Sequence, residues 1–195
     1  MQSLGITKEQ AKALLAKWIT DPVTRLHSLE SAAIMATVAR RLGEDEASWW
    51  IIGLLHDIDW DETKENTAEH CVRCREILQE AGGSDFLIET IVSHGYGNED
   101  IPSLADKARE GPLQHALVAS ETLTGIITAA ALVQPDRKLA SVKLKSLKKK
   151  FKDKSFAARC DRSLVAECEE IPIPRDEFLE LGLTALQNIS DELGM

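Results

Sequence analysis

The run Trp49-Trp50-Ile51-Ile52-Gly53-Leu54-Leu55-His56-Asp57-Ile58-Asp59-Trp60-Asp61-Glu62 decides how this chain reads. An apolar helix delivers an imidazole and a carboxylate side by side, then gives way to a string of acids. Ionisable groups carried into an interior are costly unless a partner or a cation compensates them. His56 and Asp57 are therefore read as part of a cation site, and the question becomes which other side chains could join them.

The chain has five histidines, and four of them, His27, His56, His70 and His94, sit on segments that read as helices. Apolar neighbours one turn away point these imidazoles inward. His27 precedes Glu30, Ile34 and Val38; His70 lies one turn from Cys74 and Ile77; His94 follows Ile88 and Ile91. The stretch Ala116 to Val133 is the most apolar of the chain, and Glu121 is its only charge. A carboxylate in such a helix needs a partner.

The order His27, His56-Asp57, His94 and then an acid on a long apolar helix resembles the HD superfamily of metal-dependent phosphohydrolases. The local wording agrees: Arg25-Leu26-His27-Ser28-Leu29-Glu30, Leu54-Leu55-His56-Asp57-Ile58-Asp59, Ile91-Val92-Ser93-His94 and Ala119-Ser120-Glu121-Thr122-Leu123-Thr124-Gly125. The resemblance spans roughly residues 22 to 170 and is similar to bacterial HD-domain hydrolases. His70 resembles the extra histidine of those members that hold two metals. The resemblance implies one ion among His27, His56, Asp57 and Glu121, a second at His70 and His94, and Asp57 bridging them. Such a ligand set suits Mn, Fe, Co, Ni or Zn, as one or two divalent ions. Two positions depart from the family pattern. Glu121 stands where the family normally has Asp, and His-Asp-Ile-Asp replaces His-Asp-Ile-Gly, so Asp59 adds an acid that either tunes a bound water or faces solvent. Asp57 and Asp59 are the expected catalytic carboxylates.

The 195 residues are enough for one domain, with a motif core over about 22–134 and C-terminal helices over 138–194 packed on it. A hydrophobic content of 44% and 28% charged residues are globular values. Cys71, Cys74, Cys160 and Cys168, with no cationic and apolar leader at Met1 to Lys12, are expected to be reduced thiols of a cytoplasmic protein. Ala116 to Val133 approaches membrane-span length, yet Glu121 at its middle favours a buried helix, so no membrane is expected. A net charge of −9 disfavours general nucleic-acid binding. The charge is uneven: Arg137 to Lys154 carries +8, leaving −17 elsewhere. Lys148, Lys149 and Lys150 in this basic segment 138–154 are candidates to bind phosphate or to form a solvated helix face.

Helical periodicity and caps recur along the chain, without strand alternation, so the expected class is all-α, an HD-domain-like bundle with the metal site in its core. Thr7 caps a first helix; Asp21-Pro22 opens a second that stops at Gly43; Glu46 to Asp57 forms a third. Further helices are expected over about Asn66 to Ala81, from Ser84 to His94, over Leu104 to Arg109, from Gly111-Pro112 to near Pro135, over 138–154, over Phe156 to Glu170, and through Phe178, Leu181, Ala185, Ile189 and Leu193. His115 and the Cys71-x-x-Cys74 pair read as packing residues, and Asp61 and Glu62 as loop acids that either serve as general acid or base or face solvent. The expected activity is hydrolysis of a small phosphorylated substrate, a nucleotide among the candidates, with homo-oligomerisation left open. Two alternatives stand beside it: a di-iron oxygenase of the HD-like type, and a non-catalytic sensor in which Glu121 has spoiled the site.

Overall fold

A computed structural model describes residues 2–195 of the chain. Helices follow one another from α1 (Lys8–Trp18) through α2 (Pro22–Leu42), α3 (Glu46–Leu55), α4 (Trp60–Thr63), α5 (Arg73–Glu80), α6 (Asp85–Val92) and α7 (Pro112–Leu132). The C-terminal part adds α8 (Leu144–Lys152), α9 (Arg162–Ala166), α10 (Arg175–Asn188) and α11 (Ser190–Leu193). There is no strand among the described residues. The all-α expectation holds.

Local chemistry sets the helix ends where the caps predict them. Thr7 and Gln10 form a reciprocal capping box, at 3.2 Å from Gln10 N to Thr7 Oγ1 and 2.8 Å from Thr7 N to Gln10 Oε1. Asp21 accepts the Val23 amide at 2.8 Å with Pro22 in the first turn, and Gly43, at φ 75°, closes α2 in the left-handed conformation. Ser84 caps α6 through the Leu87 amide at 3.2 Å.

The core forms around α3. Trp49, Ile51, Ile52, Leu54 and Leu55 are all buried, so this helix is covered on every side, chiefly by α2 and also by α1 and α6. Each such side chain contributes about 1.5–3 kcal/mol on burial. α7 lies against α2, α9 and α10, and α10 packs back onto α2. Although α7 is long and apolar enough to cross a membrane, most of it is buried inside the bundle.

Five expected helices are broken or missing, and in three of them side-chain hydrogen bonds hold the backbone in its non-helical path. The segment 66–81 is a short 3₁₀ turn at Thr67–Glu69 and then α5, interrupted at His70, which is extended, and Cys71, at φ 63°. His70 and the Cys74 amide both bond the Asp59 carboxylate, which pins the two sides of this break. Residues 104–109 form no helix; amides 98, 101, 104 and 107 each bond the carbonyl three residues back, giving successive turns. The basic segment splits into a 3₁₀ turn, Leu139–Ser141, and α8, because Gln187 Nε2 donates to the Leu139 and Val142 carbonyls at 3.0 and 3.1 Å. Between Phe151 and Cys160 the Arg162 guanidinium donates to the Phe156, Ala157 and Cys160 carbonyls, holding a loop in place of the expected helix. The last helix also breaks, at Ile189 between α10 and α11.

Gly53 tests how closely α2 and α3 approach. A Cβ there would lie 2.8 Å from the Ser31 carbonyl oxygen and 2.9 Å from Ala32 Cα, both backbone of α2. Helix propensity favours Ala over Gly by about 1 kcal/mol, but a backbone collision in a packed core has no flexible side chain to absorb it and falls at the upper end of overpacking costs, about 2–3 kcal/mol. Gly53→Ala is expected to lower the unfolding free energy by about 1–2 kcal/mol in urea denaturation. A variant as stable as the wild type would contradict the contact.

Candidate metal centre

His27 from the second turn of α2, His56 and Asp57 from the end of α3, His70 from the break before α5, His94 from the 3₁₀ turn Ser93–Gly95 and Glu121 from mid-α7 all converge. Asp57 is the hub. Its Oδ1 lies 3.5 Å from His56 Nε2, 3.5 Å from His70 Nε2 and 3.4 Å from His94 Nε2, and its Oδ2 lies 3.6 Å from His27 Nε2. Glu121 Oε2 stands 3.9 Å from His27 Nε2, while its Oε1 accepts the Thr122 hydroxyl at 2.6 Å. The longer side chain therefore still reaches the site.

The hydrogen bonds behind the imidazoles fix which nitrogen faces inward. His56 Nδ1 donates to the Gly53 carbonyl at 2.8 Å, His94 Nδ1 to the Ile91 carbonyl at 2.6 Å and His70 Nδ1 to Asp59 Oδ1 at 2.9 Å. His27 Nδ1 lies 2.9 Å from Thr124 Oγ1, whose own hydrogen goes to the Glu121 carbonyl, so the imidazole is again the donor. Donation from Nδ1 turns every Nε2 into the site, where a neutral imidazole offers a lone pair and a protonated one must lose a proton before it can bind an ion. Yet His27 and His56 meet Nε2 to Nε2 at 3.0 Å, and His70 and His94 at 3.1 Å. Two lone pairs at that distance repel unless a proton or a metal cation lies between them. His27, His56 and Asp57 make one group able to hold an ion, and His70, Cys71 and His94 another.

Burial and charge act accordingly. Burial pushes His56 down to about 3, which keeps it neutral and ligand-ready. Burial also disfavours a charged His70, but the Asp59 hydrogen bond and the neighbouring Cys71 and Asp57 outweigh it and raise the group to about 10. Asp57, ringed by imidazoles that overcome its burial, is held well below the usual carboxylate range. Glu121 is raised by burial.

Several expectations about single residues are corrected. Asp59 is fully buried, with one oxygen on His70 and the other accepting the Cys74 amide at 2.9 Å, so it neither faces solvent nor has an oxygen free to work on water; it orients His70. Asp61 is a staple, accepting the Thr20 and Asp21 amides at 2.6 and 2.9 Å. Lys148, Lys149 and Lys150 lie on α8 outside the cavity: Lys148 pairs with Asp176 at 3.0 Å, Lys150 sits over the Phe156 ring and Lys149 is exposed. The cavity beside the site, about 410 Å³, is walled by Trp60 and Asn98 and closed by Arg159, Asp161 and Leu164. Arg159 is its one Arg or Lys among the described residues, and the sequence offered no signal for it beyond its charge. Arg109 was also missed: buried, it donates to the Ser93, His94 and Tyr96 carbonyls and pairs with Glu167, which His115 also reaches at 2.8 Å. This cluster holds the turn that carries His94.

Histidines and carboxylates gathered in the core of a helical bundle define a metal-site protein of the helical class. A protein-family model for the HD domain matches residues 24–130, more than half of the chain, and the chain belongs to that family. All six expected ligands fall within the match; Arg159 and Glu167 lie beyond it. Comparison with curated proteins and with solved structures gave no match. HD domains bind divalent metals, and most are metal-dependent hydrolases.

A protonated His70 gives the site a definite pH response. Below about 10 the metal-free site carries a proton where an ion would sit, so binding must release it. Burial disfavours a charged His94 as well, but Cys71 and Asp57 outweigh it, so apparent metal affinity is expected to fall at least tenfold per pH unit between about pH 8 and pH 6, read by competition with a chelator. An affinity independent of pH over that interval would contradict the assignment.

Proposed function

We propose that the protein is a metal-dependent phosphohydrolase with a two-ion centre, acting on a small phosphate ester of nucleotide size or less. The observation that carries this reading is the two facing imidazole pairs around Asp57, opening on a cavity whose one guanidinium is Arg159. His27, His56, Asp57 and Glu121 would hold one ion, and His70 and His94 the other, with Asp57 shared. When bound, such ions lower the pKa of water toward about 7 and polarise a phosphoryl oxygen.

The chain's own residues supply the rest. Arg159 offers a forked cation to phosphate oxygens, at the mouth of a site whose other ionisable wall groups are Asp57, His70, His94, Glu121 and Asp161. Trp60, edge-on to His70 with ring centroids 4.9 Å apart, gives an apolar wall for the remainder of the substrate, and Asn98 a polar one. A volume of about 410 Å³ suits a small ligand and excludes a polymer from full entry. Asp59 and Thr124 keep His70 and His27 in their tautomers, which preserves the geometry through turnover. A cation at the mouth favours an anionic substrate, which the phosphate-ester reading requires and the oxygenase reading does not.

The test is turnover by protein loaded in turn with Mn, Fe, Co, Ni and Zn, against phosphomonoesters, nucleotides and cyclic dinucleotides. Inactivity across the whole set would overturn the proposal. With an active pair in hand, Arg159→Gln is expected to raise KM about tenfold, in line with losing one charge-assisted hydrogen bond, and to lower kcat much less. Asp57→Ala is expected to abolish turnover together with metal binding. An unchanged KM in Arg159→Gln would remove that residue from the phosphate site.

A further inference from the structure

We propose that Cys71 is a thiolate ligand of the second ion, making that position a sulfur-containing site for a thiophilic divalent metal. The proposal rests on the two-ion reading above. The family resemblance supplies only histidines and carboxylates; the thiol is this chain's own.

Four donor atoms meet at this position. Cys71 Sγ lies 3.5 Å from His94 Nε2, the two imidazole Nε2 atoms are 3.1 Å apart, and Asp57 Oδ1 is 3.4 and 3.5 Å from them. Cys71, His70 and His94 donors all fall within 4.8 Å of one another. A tetrahedral ion with nitrogen at about 2.0 Å and sulfur at about 2.3 Å spaces such donors about 3.3–3.6 Å apart. The nitrogen and oxygen separations match the edges of that polyhedron, whereas Cys71 Sγ, also 3.9 Å from His94 Nδ1, lies beside the imidazole and joins the ion by turning about its Cα–Cβ bond toward Nε2.

The backbone is bent to bring the thiol there. Cys71 is one of three non-glycine residues with positive φ among the described residues, a conformation that costs on the order of 1 kcal/mol or more. Asp59 holds both sides of the bend, through His70 Nδ1 and the Cys74 amide, and Cys74 Sγ donates to the Cys71 carbonyl at 3.2 Å. Across the site, Gly95 leaves the space the sulfur fills: a Cβ on it would stand 2.7 Å from Cys71 Sγ. Packing alone would be served by a helical Cys71 pointing into the core as Cys74 does. A built bend, a cleared space and two imidazoles whose donors fall within 4.8 Å of the thiol together point to coordination. Zn, Co and Fe(II) accept such an N, O and S set, whereas Mn and Mg prefer oxygen.

The test uses the full chain, stripped of metal and titrated anaerobically with Co(II), with bound cobalt counted by elemental analysis and absorption recorded in the near ultraviolet. The expected result is two cobalt ions per chain with an intense thiolate-to-cobalt charge-transfer band. That band is expected to be lost in Cys71→Ser and kept in Cys168→Ser. Zinc-edge X-ray absorption of the wild type, which needs no variant to fold, is expected to show one sulfur for every two zinc ions. Two ions per chain without the band or a sulfur shell would overturn the thiolate and leave the two-ion reading standing. A single ion per chain, bound without sulfur, would overturn both.

Discussion

The structure depends on four hydrogen bonds made on the far side of the site, by the Nδ1 atoms of His27, His56, His70 and His94. Their acceptors are the Thr124 hydroxyl, the Gly53 and Ile91 carbonyls and the Asp59 carboxylate. Once these are made, four lone pairs are driven together around Asp57 in an interior where repulsion is poorly screened. A proton or a metal cation between the facing nitrogens is what reconciles that arrangement with a stable core. Two of the acceptors are backbone carbonyls three residues before their histidines, at the C-terminal ends of α3 and α6, where such groups lack helical partners. The helix ends and the metal site are thus built by the same bonds.

The first six helices and α7 set the ligands, and the C-terminal elements finish the pocket. α9 and the loop before it bring Arg159, Asp161 and Leu164 over the opening. Glu167 reaches back to Arg109, whose guanidinium gathers the carbonyls of the His94 turn. The region outside the HD match therefore supplies both the cavity's cation and a brace for one ligand.

Much of this was legible in the sequence, for definite reasons. His56 and Asp57 end an unbroken apolar helix, Glu121 is alone in an apolar stretch, and caps at Thr7, Asp21 and Ser84 act within a few residues, so local pattern suffices to place them. What stayed illegible is held by side chains from far along the chain. Asp59 looked like a loop acid because its partners, His70 and Cys74, lie 11 and 15 residues away across a break that periodicity does not show. Gln187 and Arg162 capture carbonyls and cut two expected helices, and no local signal marks either residue as a breaker. The basic run drew attention to Lys148, Lys149 and Lys150 by density of charge. Arg159, an exposed cation on an irregular loop, is the one that lines the cavity.

The central claim is that His27, His56, Asp57, His70, His94 and Glu121 form one centre for two ions. Metal content per chain, measured by elemental analysis on anaerobically purified wild type and on His70→Ala, tests it most directly. The account predicts close to two ions in the wild type and close to one in the variant. One ion in both proteins, or none in either after reloading, would contradict it.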